Sequence, residues 1–98
     1  MKVDSMKYKL RPGILKTSIC SVTVLIANRE AQDYCPTIMK LPLLWSAAWE
    51  CIEKQKSIDS LVQVFRILTQ KNEDEIRKSI DHIFNQLYEN GYLIAAEE

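Results

Sequence analysis

Residues 37–50 have the sequence TIMKLPLLWSAAWE, and within this stretch the chain changes from a strand-like to a helix-like pattern. Thr37 to Leu41 alternates as an edge strand does, and Pro36 before it lacks the N–H that an inner strand needs. Pro42 suits the first turn of a helix, and helix-compatible residues continue from there to Lys54. The sequence before this point predicts strands and the sequence after it predicts helices, which is the order of an α+β fold.

Two further strands are predicted before residue 37. Ser21 to Ala27 is β-branched and apolar, as expected of a central strand. Ile14 to Lys16 follows the turn signal Arg11-Pro12-Gly13 and predicts a short first strand. Asn28 to Pro36 is polar enough to form a turn. We therefore expect a three-stranded antiparallel sheet in the first part of the chain.

Two more helices are predicted after the first one. Ser57 is a good N-cap for a helix that runs to about Gln70, with apolar residues at helical spacing. Asn72 caps a third helix whose first turn is acidic, which is favourable at the positive end of a helix. Gly91 is suited to end it in the left-handed conformation, and the apolar residues 92–94 then fold back. The predicted order is three strands followed by three helices, βββααα.

The composition predicts one globular domain over residues 1–98. Of the 98 residues 47% are hydrophobic and 27% charged, and thirteen basic residues balance thirteen acidic ones. A net charge of zero does not attract the molecule to phosphate backbones or to anionic membranes, so we expect neither nucleic acid nor membrane as a partner. No apolar run could serve as a signal sequence or a membrane span, which favours a cytoplasmic protein.

The sequence contains no persuasive set of catalytic residues. Two glycines, at 13 and 91, cannot form a glycine-rich phosphate loop. His82 lies away from the apolar stripe of the third helix and is predicted to be a solvated surface residue. The three cysteines and His82 match no zinc-ligand spacing and suggest reduced, packed thiols. We therefore expect no catalytic residue, no cofactor and no metal site.

The predicted sheet leaves the third strand with an unpaired edge. Such an edge either is protected or receives another strand, and an extended peptide could add there. The last helix is the candidate wall of that site. Phe84 and Tyr88 lie with Arg77 on one flank of its apolar arc, where they form either a mixed apolar and cationic groove or the ordinary margin of the core. The same edge could instead pair with a second copy, which leaves a homodimer open.

Three segments resemble the PqqD-like proteins, the leader-peptide recognition elements of pathways that modify ribosomally made peptides. The segments are YKLRPG at 8–13, LPLLWSAAWE at 41–50 and IFNQLYENGYL at 83–93, and the resemblance extends over a core of about 8–94. Leu41, Ala48 and Trp49 match the family's entry to the first helix, whereas Pro42 and Trp45 stand where the family has Asn and Gly.

The resemblance implies a winged-helix-like fold and a non-catalytic binding protein. In that family the leader of a precursor peptide lies as a fourth strand against the third strand and packs against the third helix. The expected partners are the precursor peptide and the enzyme of the same pathway that modifies it, with no cofactor. Carried over by position, the peptide-binding residues are Thr37, Ile38, Met39, Lys40, Ile76, Arg77, Ile80, Ile83 and Phe84.

Two alternative functions fit the same order of elements. A winged-helix DNA-binding regulator also combines strands with three helices, but the predicted third helix is mainly acidic, the wrong sign for contact with phosphates. The second alternative is a structural accessory subunit that packs on an enzyme.

Overall fold

The computed structural model describes residues 8–95 of the chain. This part contains five strands and three helices. In chain order they are β1 (Tyr8–Leu10), β2 (Ile14–Ile19), β3 (Val22–Ala27), β4 (Ile38–Leu41), α1 (Leu43–Glu53), α2 (Ile58–Thr69), α3 (Glu73–Glu89) and β5 (Leu93–Ala95).

The three-stranded antiparallel sheet confirms the predicted fold class. Its strand order is β2-β3-β4, so β3 is central and β4 forms one edge. Val24 and Leu25 in the middle of β3 are buried, as a central strand requires. β2 extends to Ile19, beyond the predicted Lys16, because it pairs with β3 along its whole length up to a two-residue turn. Three helices follow this sheet, so the predicted α+β order is correct.

A second, two-stranded sheet joins the two ends of the described chain. β1 pairs with β5 antiparallel, with Tyr8 opposite Ala95 and Leu10 opposite Leu93. The Arg11 N–H continues this pairing by donating to the Tyr92 carbonyl at 3.0 Å. The apolar residues after α3 fold back as predicted, whereas neither strand was predicted. Leu93 is fully buried, so this small sheet closes the core on one side.

The predicted helix caps form as expected. The Ser57 hydroxyl accepts a hydrogen bond from the Ser60 N–H at 3.1 Å, and the Asn72 carboxamide oxygen accepts one from the Glu75 N–H at 2.9 Å. Both side chains satisfy backbone donors that the first turn of a helix leaves free. Gly91 follows α3 with φ of +91°, where a side chain would collide with the Tyr34 carbonyl.

The core lies between the inner face of the β2-β3-β4 sheet and the three helices. Trp49 of α1 and Tyr92 sit at its centre, with ring centroids 6.5 Å apart in an edge-to-face arrangement. Both are at most 1% exposed, so the two rings are fully enclosed by the core. No helix in residues 8–95 is long and apolar enough to cross a bilayer.

Candidate functional site

The outer edge of β4 presents backbone groups that no other described residue uses. The Ala27 N–H donates to the Thr37 carbonyl at 2.8 Å, so Thr37 is one of the residues whose backbone groups point at β3. Because hydrogen bonding alternates along an antiparallel pair, Met39 and Leu41 also point their backbone groups at β3. The N–H and C=O of Ile38 and Lys40 therefore point away from the sheet. No hydrogen bond to these four groups comes from residues 8–95.

Two prolines bound this free edge. The backbone groups of Pro36 and Pro42 point to the same side as those of Ile38 and Lys40, away from β3. Neither proline has an N–H to donate. Their carbonyls are also occupied: the Tyr92 hydroxyl donates to the Pro36 oxygen at 2.7 Å, and the Ser46 N–H donates to the Pro42 oxygen at 2.8 Å. The edge open to another strand is thus limited to Ile38 and Lys40.

The β4 side chains alternate between the two faces of the sheet. Met39 and Leu41 turn inward, where Leu41 is buried and Met39 is half-buried against the core. Ile38 and Lys40 turn outward, and the Ile38 side chain is 62% exposed. Thr37, just before the strand, is exposed as well. The predicted residues of the third strand therefore supply three exposed residues, Thr37, Ile38 and Lys40, and the last two supply all four outward backbone groups.

The face of the sheet turned away from the helices, here called the outer face, is largely apolar. Its exposed members include Leu15, Ile19 and Val22, at 60%, 54% and 40% exposure. Lys40 is its sole charged residue within the described sheet. The strand registers assign eight residues to the outer face: Leu15, Thr17, Ile19, Val22, Val24, Ile26, Ile38 and Lys40.

The predicted apolar residues of α3 lie inside the core. Ile76, Ile80, Ile83 and Phe84 are between 0% and 3% exposed, so they support the helix from beneath and present almost no surface. Their spacing puts them on one face of the helix, as the periodicity predicts. The structure does not bring these side chains into an open groove with Thr37 to Lys40.

Arg77 is held at the start of α3 by two carboxylates. Its Nε donates to Glu73 at 2.8 Å, and its Nη2 donates to Asp59 of α2 at 3.0 Å. These hydrogen bonds, first that of Glu73 and then that of Asp59, raise the pKa of the guanidinium. The third nitrogen, Nη1, is buried without an acceptor among the described residues. Arg77 therefore ties α3 to α2.

One flank of α3 is covered by β1. The Tyr8 ring lies 5.7 Å from the Phe84 ring and 5.8 Å from the Tyr88 ring, measured between centroids. Burial, followed by the nearby Asp81 carboxylate, raises the pKa of the Tyr8 hydroxyl. On the opposite flank of the helix, Ser79 and Gln86 are half-buried. The flank on which the sequence analysis placed Phe84 and Tyr88 is therefore partly filled by the chain's own first strand.

The remaining candidates for chemistry are spread over the described chain. His82 is exposed on α3, as predicted. Cys35 and Cys51 are buried and Cys20 is exposed, all as free thiols. The Cys51 thiol donates to the backbone carbonyl of Lys56 at 3.3 Å, a structural contact after α1. Residues 8–95 contain no cluster of three or more side chains suited to hold a metal ion.

Two features of this edge were missed by sequence reasoning. The Tyr92 hydroxyl occupies the Pro36 carbonyl, and Pro42, besides starting α1, bounds the free edge. A signal for Pro42 was present, because Pro36 and Pro42 are an even number of residues apart and so share one side of an extended strand. No comparable signal links Tyr92 to Pro36, since their contact joins segments 56 residues apart.

Comparison with known proteins identifies the fold but no family. No protein-family model matches the chain, and no curated protein sequence matches it. Among solved structures, the fold is similar to that described as "TbiB1 in Complex with the TbiA(beta) Leader Peptide", with a TM-score of 0.72. The two sequences are 14% identical, and the similarity covers 92% of this chain and 99% of that chain. This chain thus shares the fold of a protein that has been seen with a leader peptide.

Proposed function

We propose that the chain binds an extended segment of another polypeptide as a fourth strand on the β4 edge, and that this segment is the leader of a ribosomally made precursor peptide. The observation that carries the proposal is the set of free backbone groups at Ile38 and Lys40, bounded by Pro36 and Pro42. Strand addition uses such groups for affinity, while alternate side chains provide specificity.

The shared fold supports a leader peptide as the bound segment, which is called the guest from here on. TbiB1, which has the same fold over nearly its whole length, is in complex with the TbiA(beta) leader peptide. The PqqD-like sequence segments suggest the same kind of guest independently of the structure. Both point to a leader peptide rather than to duplex DNA.

In this proposal β4 and α3 have different roles. Thr37 to Lys40 supply the strand that the guest pairs with, and α3 supplies the wall beside it. Ile76, Ile80, Ile83 and Phe84 hold that wall in shape from the core, and Arg77 fixes its first turn against α2.

The bound leader would be presented to the enzyme that modifies the precursor. The chain itself then performs no chemistry. It acts in the cytoplasm by raising the effective concentration of the precursor near that enzyme.

A proline placed in the edge strand tests the proposal without breaking the sheet. The Lys40 N–H points away from β3, so Lys40→Pro removes a donor for the guest and leaves the β3–β4 ladder intact. Where a short precursor open reading frame lies beside this protein's gene, its leader is synthesised as the ligand, and binding is measured by fluorescence anisotropy. We expect about a tenfold loss of affinity, the size of one lost hydrogen bond.

Ser18→Pro is the matched control, on the opposite edge of the sheet. The Asn28 N–H donates to the Gly13 carbonyl, which sets the β2–β3 alternation so that the Ser18 N–H also points away from β3. This variant should bind the leader as the wild type does. An equal loss in both variants, or none in Lys40→Pro, with both folded by circular dichroism, contradicts binding at β4. Retention of the wild type on duplex DNA without leader binding favours a DNA-binding regulator instead.

A further inference from the structure

Lys40 occupies an unusual position on the sheet. It is the sole charge among the eight outer-face residues, and its cross-strand neighbour on β3 is the apolar Val24. Lys40 forms no ion pair with any residue of 8–95. By contrast, Lys16, on the inner side of the same sheet, contacts Glu53 of α1 at 2.7 Å.

Ile38 stands beside Lys40 on the same face, two residues earlier in the strand. Its side chain is 62% exposed, and its partner on β3 is Ile26. The free edge therefore offers one apolar and one cationic side chain, side by side. Both belong to the two residues whose backbone groups are free to bind another strand.

A strand added to this edge has little freedom of register. Shifting the guest by two residues would place it against Pro36 or Pro42, which have no N–H and whose carbonyls are occupied. A shift by one residue would turn its side chains to the other face. Two guest side chains, two residues apart, therefore lie next to Ile38 and Lys40, whether the guest runs parallel or antiparallel.

We infer, on the basis of the proposed function, that the guest carries an acidic side chain beside Lys40 and an apolar side chain, two residues away, beside Ile38. Opposite charges on neighbouring strands attract, and like charges placed there repel. An apolar guest residue covers Ile38 and extends the apolar outer face. The class of guest is thus an extended peptide in which an acidic and an apolar residue are separated by one position.

A selection experiment can identify this pair from random sequences alone. A phage-displayed library of random peptides is selected separately on the wild-type protein, on Lys40→Glu and on the control Lys78→Glu. Lys78 is an exposed residue of α3, outside the sheet. Peptides selected on the wild type are then synthesised, and their affinities for all three proteins are measured at low and high salt.

The wild type should enrich an acidic residue two positions from an apolar one. Lys40→Glu should enrich a basic residue at the acidic position, and Lys78→Glu should give the wild-type pattern. Peptides selected on the wild type should bind Lys40→Glu about fivefold to tenfold more weakly at low salt, and the difference should shrink at high salt.

The outcomes separate this inference from the proposed function. Enriched peptides that show no charge preference, or the same preference on the wild type and on Lys40→Glu, overturn the inferred pair while peptide binding stands. If these peptides bind Lys40→Pro more weakly than they bind the wild type, binding at the β4 edge is still supported. Failure of the wild type to enrich any peptide, together with no binding of the encoded leader, overturns the proposed function and the inference that rests on it.

Discussion

The hydroxyl of Tyr92 donates a hydrogen bond to the backbone carbonyl of Pro36 at 2.7 Å, and this contact joins the segment after α3 to the residue before β4. Tyr92 is completely buried, so the hydroxyl has no access to water. The contact also occupies the Pro36 carbonyl, which would otherwise be an acceptor on the free edge. One side chain therefore stabilises the fold and limits the edge on which a guest can bind.

Replacing Tyr92 by Phe should destabilise the protein by about 1 kcal/mol. The ring remains, but the partly buried hydrogen bond to the Pro36 carbonyl is lost. Urea denaturation followed by circular dichroism measures the change. An unchanged free energy of unfolding in Tyr92→Phe would contradict a stabilising role for this hydrogen bond.

The same variant should change how stability depends on pH. Burial raises the pKa of the Tyr92 hydroxyl from 10.0 to about 12. The unfolded chain therefore loses this proton at a lower pH than the folded protein does. The contribution of Tyr92 to stability is complete below pH 10.0 and is lost as the pH rises towards about 12. Between pH 10.0 and about 12, the free energy of unfolding should fall more steeply with pH for the wild type than for Tyr92→Phe. Equal slopes for the two proteins would argue against the raised pKa.

The turn between β2 and β3 should be open to stabilisation. Cys20 and Ser21 have φ angles of 52° and 67°, the left-handed region that side chains disfavour. A two-residue hairpin turn with two positive φ angles prefers Asn-Gly. The double variant Cys20→Asn, Ser21→Gly should therefore gain about 1 kcal/mol in unfolding free energy. Ser21→Val, which places a β-branched side chain there, should lose stability, and the opposite order of the two variants would contradict this description of the turn.

Phe84 should behave as a core residue in mutagenesis. Its ring is 0% exposed and lies under Tyr8, so Phe84→Ala should cost about 3–5 kcal/mol. Phe84→Asp would leave a charge in the core and should prevent folding, which makes it unsuitable as a test of peptide binding. Tyr88→Ala on the same flank should cost about 1 kcal/mol or less, because that ring is about half exposed. Urea denaturation of the two alanine variants checks the difference, and equal losses would mean that Phe84 is not in the core.

The order of strands and helices could be predicted because local signals marked it. Pro42 marks the change from strand to helix, and Ser57, Asn72 and Gly91 mark helix ends through hydrogen-bonding and backbone preferences that act over a few residues. β1 and β5 lacked such signals. Each has three residues, and they pair across nearly the whole described chain, from Tyr8 to Ala95. Nothing in a short local pattern encodes a partner so distant.

The candidate site could be predicted only in part for the same reason. Pro36 indicated that β4 lies at an edge, and the α3 periodicity indicated which side chains face inward. Which flank of α3 remains open depends on where Tyr8 packs, and this follows from the β1–β5 pairing rather than from the helix itself. The limits of the edge likewise depend on the long-range contact between Tyr92 and Pro36.

Residue-resolved amide hydrogen exchange, with and without the encoded leader peptide, tests the central claim most directly. In the free protein the Met39 and Leu41 amides, which bond to β3, should exchange slowly, whereas those of Ile38 and Lys40 should exchange fast. Saturating leader should slow Ile38 and Lys40 markedly and leave Ser18, at the other sheet edge, unchanged. Bound leader that leaves the Ile38 and Lys40 amides as fast as before would contradict strand addition at β4.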